Sequence, residues 1–431
     1  MPSSTKIPLT ILFLLSLSAC LGQIAQNPET LSRDSIKVVR DRLSEVRGLA
    51  FTAEVPIVFE RSLNDRLEAV FQADLGAGDR KREDISLAYV KLGLLPFGVD
   101  LSSTLLSFYS SQALAFYDSR AKEIVIAANP DGPSGTPVFE EAREKVIVHE
   151  LTHALQDRAF SLGTMLRPSG NGDATIALRA VAEGDAVLTE YAYSFGGLNE
   201  WLPDHLSQML DSAIDDPILP NIPRFVADKA RFQYWAGARF VLRFLGQNGW
   251  LPVNLLYKYP PLSTEQVLHP EKYLDLPDPP IRIKLNNLSG LFSSQWREIE
   301  NDTLGELSVQ CLFNQFLGPA DAALVASGWG GDRFVAYRNG DEVAFIWATV
   351  WDSAKDAEEF YENYQKILWT KYGTPSVDTR FYIEKRDRSV MVIEGFEQDR
   401  IKRNIETVWN AMVFEKEDFQ PPPFSSSIGS R

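Results

Sequence analysis

Residues 140–160, EEAREKVIVHELTHALQDRAF, constrain this chain more than any other stretch. A breaker cluster of Gly132, Pro133 and Gly135 precedes them. Thr136 can cap a helix, Pro137 suits its first position, and Glu140, Glu141 and Glu144 favour its positive N-terminal end. The pattern predicts a helix over 140–160. Val146, Ile147, Val148, Leu151, Ala154 and Leu155 make it too apolar for a surface element, so its histidines are expected to be buried. On such a helix His149 and His153 lie one turn apart on one face, close enough for two imidazoles to bind one metal ion, with Glu150 beside them. Zinc there would lower the pKa of its water toward neutrality, and a carboxylate within reach could take the proton. The chain holds only 4 His, so abundance does not account for the pair.

A catalytic zinc site takes a third protein ligand and keeps a fourth position open. The next long helical pattern, 173–195, starts on Asp173, read as its cap, and stops at Gly196-Gly197. Glu183 lies at its centre among Ala177, Ala180, Ala182, Gly184 and Ala186, small residues that let two helices approach closely. A glycine inside a helix costs about 1 kcal/mol against alanine, so Gly184 points to a packing need. Glu183 is the expected third ligand. Asp185 and Glu190 are its rivals, and a surface pairing with Arg179 is the structural alternative. Asp157, one turn beyond His153, is a candidate to orient that imidazole, or else a solvated acid. Residues 113–117 and 123–127 read as a hairpin just before the metal helix. Its edge would suit an extended peptide, with a purely structural hairpin as the alternative.

His149-Glu150-Leu151-Thr152-His153 followed by a glutamate on a later helix resembles the gluzincin type of zinc metallopeptidase. The metzincin pattern is absent, because Gln156 and Ala159 stand where it needs Gly and His. Around Glu183 the chain reads Ala182-Glu183-Gly184-Asp185-Ala186, with Val187 where the thermolysin-like branch carries Asp. The HELTHALQD and AEGDA strings look more like a group of bacterial envelope lipoproteins with zincin-like domains. The resemblance implies that His149, His153 and Glu183 bind Zn2+ and that Glu150 is the general base. Gluzincins commonly add a later His or Tyr that steadies the oxyanion. His269, held at a rigid terminus by the Ser263/Gln266 capping box and Pro270, and Tyr273 are the candidates, with a purely structural clamp as the alternative for His269.

The N-terminus reads as an export signal: Lys6, an apolar run over 7–17, then Leu17-Ser18-Ala19-Cys20, which resembles the lipobox of bacterial lipoproteins. Lipidated Cys20 would anchor the chain to the membrane of the cell envelope; ordinary secretory cleavage near Ala19 is the alternative. Cys311 would then be the one remaining thiol, read as a small core residue. A net charge of -15 without a basic stripe argues against a nucleic-acid partner.

The expected organisation is a signal peptide over 1–20, a polar tether over 21–31, a zincin-like catalytic domain over 32–300, a smaller α+β domain over 301–416, and a disordered tail over 417–431. The fold class is α+β, with a mostly helical zincin-like metallopeptidase domain carrying a small β-sheet, followed by that smaller α+β domain. In the second domain a hairpin is expected around Asn339-Gly340, after a break at Gly328-Trp329-Gly330-Gly331. A helix follows over 354–372. The expected function is zinc-dependent hydrolysis of peptide bonds in a peptide or protein substrate by a lipid-anchored envelope protein. The rival from another class is a non-catalytic scaffold or chaperone with a structural or decayed zinc site. A second rival keeps the metal and hydrolyses a non-peptide amide.

Overall fold

The structure, a computed structural model, describes residues 29–30, 33–75, 79–127, 138–139, 141–167, 170–212, 222–245, 249–285, 288, 294–373 and 380–423. The export signal with Cys20, most of the tether, the Thr136-Pro137 helix start and residues 424–431 lie outside these. Two residues of the expected tether, Glu29–Thr30, are not free chain: they pair antiparallel with Val138–Phe139. Among the described residues no helix is long and apolar enough to cross a membrane.

The fold is α+β, with most of its helices ahead of its largest sheet. Helix α1 is Arg33–Arg47. Strands β1 (Ile57–Glu60), β2 (Ala115–Asp118) and β3 (Glu123–Ala127) form a three-stranded sheet in the order β1-β3-β2, so β2 is an edge. The motif helix α2 is Glu141–Phe160 and packs against β2; α3 is Gly172–Ser194. Helix α4 (Arg224–Arg231) runs through a π-turn, Phe232–Ala236, into α5 (Gly237–Leu242), and α6 (Leu251–Lys258) and α7 (Thr264–Leu268) follow.

The larger sheet is antiparallel, built from β5 (Arg297–Asp302), β6 (Trp329–Asn339), β7 (Glu342–Trp351), β8 (Phe381–Arg386) and β9 (Ser389–Glu394) in the order β8-β9-β7-β6-β5. Strand β4 (Ile281–Leu285) pairs instead with β10 (Met412–Lys416). Helices α8 (Gly305–Asn314), α9 (Ala354–Tyr372) and α10 (Gln398–Asn410) complete this part.

The β6–β7 turn follows Asn339-Gly340 as expected, but Trp329 opens β6 rather than a break. The Trp329 ring is fully buried and its Nε1 donates to Asp332 Oδ1 at 3.1 Å, which holds the glycine-flanked segment extended. The expected 300/301 boundary falls inside β5. One apolar core also runs across it, from Tyr89 and Phe225 to Trp347, Phe360 and Tyr364. The first residues of the expected tail are ordered by contacts: Glu417 accepts from Arg282 and Phe419 packs on Tyr273 with ring centroids 5.3 Å apart.

The cap of α3 is also not the expected one. Asn171 is the N-cap, accepting from Ala174 N, while Asp173 is buried and accepts from the backbone and hydroxyl of Thr264 on α7. Gly172 N donates to Asp302 Oδ1 at 2.7 Å. The large sheet thus fixes the start of the helix whose middle carries Glu183.

Candidate metal centre

Helices α2 and α3 pack against each other. Small residues of α3 also let it approach α5 closely. A Cβ on Gly184 would lie 2.3 Å from the carbonyl group of Gly237, and one on Gly237 would lie 2.0 Å from Ala180 O. Both clashes are with backbone, so neither helix can yield by rotating a side chain. Gly237→Ala is expected to destabilise the fold by about 1–3 kcal/mol or more and to lower metal content by shifting α3. Thermal melts with elemental analysis would check both.

Between α2 and α3 the structure brings His149, His153 and Glu183 together. One ligand atom from each lies within 4.8 Å of the others. His149 Nε2 stands 3.2 Å, and His153 Nε2 3.6 Å, from Glu183 Oε2. All three residues and Glu150 are at most 1% exposed. His153 Nε2 has no hydrogen-bonding partner among the described residues, an orphaned buried nitrogen aimed at a carboxylate. That donor set suits zinc: two imidazole nitrogens and one carboxylate oxygen at one point, with no fourth protein ligand among the described residues.

The His153 imidazole is held from behind. Gln156 Oε1 lies 2.8 Å from His153 Nδ1, and its amide nitrogen donates to Ala182 O and to Asp185 Oδ2. Since Gln156 offers an oxygen, Nδ1 carries the proton and leaves the Nε2 lone pair for a metal. Asp185 is in turn bound by Nε and Nη2 of Arg47 at 2.8 and 3.0 Å and by the Tyr257 hydroxyl at 2.7 Å. Glu190 Oε2 lies 3.7 Å from His149 Nδ1. The two rivals of Glu183 therefore stand behind the cluster.

Charge in the cluster follows from this geometry. Burial opposes a charged His149, but the hydrogen bond to Glu183 and the nearby carboxylates of Glu190 and Glu150 outweigh it and raise its pKa to about 10. Burial would also raise Glu183, yet the charge of His153 and the hydrogen bond from His149 hold it below the usual range. Burial pushes Glu150 up to about 7 against the pull of the histidines. Its Oε2 accepts from Tyr117 N on β2 at 2.8 Å, while Oε1 has no partner among the described residues. The β2 edge therefore lies beside the motif as expected, but it is buried and its Tyr117 N–H is already engaged.

Three expected roles are not what the structure provides. Asp157 holds no histidine: it binds the Tyr117 hydroxyl, Lys122 and Gly163 N. His269, at the end of α7, faces Glu306 Oε1 at 2.9 Å and is not part of the cluster; its helix meets α3 at Asp173, about 15 Å along the axis from Glu183. The Tyr273 hydroxyl donates to Tyr259 O, and its ring is buried against Phe240 and Phe244. Ser263 does cap α7, but it does so as a clamp for His269 and not to aim it at the metal ligands.

A residue outside the sequence reading enters instead. The Tyr234 ring stacks on His149 with centroids 6.2 Å apart, and its buried phenol lies near enough to feel the charges of Glu183 and Glu150. Tyr234 lies in the π-turn, where one extra residue per turn shifts the helical face. A 3.6-residue period read through this aromatic run cannot place it, and the only local signal is the run itself.

Residues 293–404 match a family described as a domain of unknown function, DUF8575. The match covers β5 to the middle of α10 and includes neither α2 nor α3. No curated protein and no solved structure matches the chain significantly.

Proposed function

We propose that the protein is a zinc-dependent peptidase of the gluzincin type, built on a zincin-like arrangement and lipid-anchored to the bacterial cell envelope through Cys20. The convergence of His149 Nε2, His153 Nε2 and Glu183 Oε2 within 4.8 Å, with the His153 nitrogen otherwise unpartnered, carries this reading. His149, His153 and Glu183 would hold the ion, which when bound polarises a carbonyl and acidifies water. Glu150 supplies the base. Tyr117 N–H fixes one of its oxygens and leaves the other to take a proton and return it to the leaving amine. Tyr234 brings to the cluster a hydroxyl that can steady an oxyanion, in place of His269.

The closure of the cluster favours a second reading, a structural zinc site in an envelope scaffold, because structural sites are closed to solvent. Against it stands the count of protein ligands among the described residues, which is that of a catalytic site. Elemental analysis of the purified protein is expected to give about one zinc per chain. His153→Ala and Glu183→Ala should each lose most of it. Folded wild type that takes up no added zinc would refute both readings.

A further inference from the structure

Aromatic side chains collect on the surface where α3 ends. The Phe195 ring meets those of Trp201 and His205 edge to face, with centroids 5.2 and 5.6 Å apart, and those two meet each other at 5.5 Å. This packing still leaves Phe195 42% and Trp201 49% exposed, and His205, on the helix Leu202–Ser212, is exposed beside them. Exposed apolar residues scattered singly need no account, but rings clustered on the surface point to a contact site.

The N-terminal segment enters the fold at the same end of the molecule. Tyr193, two residues before Phe195, donates its hydroxyl to Glu144 Oε1 at 2.9 Å, so the end of α3 lies against the first turn of α2. Just ahead of that turn, Val138–Phe139 pair with Glu29–Thr30. Arg42 of α1 donates to Tyr193 O at 2.9 Å and lies over the Tyr193 ring. Cys20 stands nine residues before Glu29, a stretch that spans at most about 30 Å when fully extended. A lipid on Cys20 would therefore keep this end of the molecule close to the bilayer.

Charge does not favour another occupant. Exposed Glu200 and Asp204 flank the rings and Arg42 lies behind them, which is no footprint for a polyanion. What the patch offers is aromatic area with polar edges, the kind of surface that settles in the interfacial layer of a membrane. An acyl chain alone holds a protein marginally, and stable attachment takes a second contact.

We propose that Phe195, Trp201 and His205 dock on the phospholipid interface of the membrane that holds the anchor, so that the start of α2 and the end of α3 face the bilayer. The inference rests on the lipid-anchor part of the reading above. Glu183 then lies about 15 Å along α3 from Tyr193, behind the membrane-facing end.

The test is tryptophan fluorescence of the full-length processed protein in phosphatidylcholine vesicles, with and without a phosphatidylcholine spin-labelled high in its acyl chain. Such labels quench at contact, so a ring responds only when it enters the interface. Wild type is expected to lose emission in the labelled vesicles, and Trp201→Phe to remove most of that loss. Phe195→Ser, which keeps the Trp201 indole, should also shrink it by weakening the seating. Trp369 on α9 is equally exposed at 49%, and Trp369→Phe should leave the loss unchanged. No loss in wild type, a loss that either patch substitution leaves intact, or one that follows Trp369 would overturn the docking surface. Mass spectrometry of the N-terminus separates the two ideas. A lipid on Cys20 without quenching sinks the docking surface alone, whereas Trp201 quenching with no lipid on Cys20 sinks the anchor alone.

Discussion

Glu150→Gln is expected to lower peptide hydrolysis by at least about a hundred-fold, the usual contribution of a positioned general base, while zinc content and melting temperature stay at wild-type values. The substitution is close to isosteric. The amide oxygen it introduces can still accept from Tyr117 N, so the contact that ties α2 to β2 survives. The change falls on the other oxygen, which has no partner among the described residues and becomes an amide nitrogen unable to accept a proton. No metal ligand is touched. Hydrolysis rates on a peptide library, measured beside elemental analysis of the same sample, decide the matter. A variant that keeps full activity would remove Glu150 from the chemistry. Wild type that binds zinc and hydrolyses neither peptides nor muropeptides would favour the structural site.

What could be read in the chain and what could not divides along physical lines. The motif helix, the Glu183 helix and α9 follow from local periodicity, although Asn171 and not Asp173 caps the Glu183 helix: α9 spans the expected residues, with Ser353 as N-cap and Gly373 closing it. Gly184 announced a close helix contact, and its partner proved to be Gly237. The partners that hold Asp185 behind the site come from far away along the chain. Arg47 and Tyr257 meet at Asp185 from opposite sides of the sequence, and no local pattern pairs them. His269 shows the same limit from the other side. Its place at the end of a capped turn was legible, but whether that turn faced the metal or Glu306 was a question of topology. Asp157 and Gln156 are adjacent, both within about a turn of His153, and helical phase alone did not decide which would reach the imidazole.

Asp185→Ala is expected to be the most damaging single change in the molecule, costing about 3–5 kcal/mol in chemical denaturation, because it leaves the Arg47 guanidinium buried without its counter-ion. Arg47 and Asp185 are both wholly shielded from solvent, so water cannot take over the lost partner. The same carboxylate accepts from Gln156, which sets the proton position on His153. Two roles, stability and ligand alignment, therefore meet in one residue, and a paired substitution separates them. Arg47→Met with Asp185→Leu removes both charges and should recover most of the stability, since replacing a buried ion pair by apolar groups of similar volume is often neutral. It leaves Gln156 with one acceptor fewer, and zinc affinity should remain about ten- to a hundred-fold below wild type, the usual effect of losing an outer partner of a metal ligand. Recovery of both properties in the double variant would mean that the Ala182 carbonyl alone is enough to hold Gln156, and that the Arg47–Asp185 pair serves only to fasten α1 to α3.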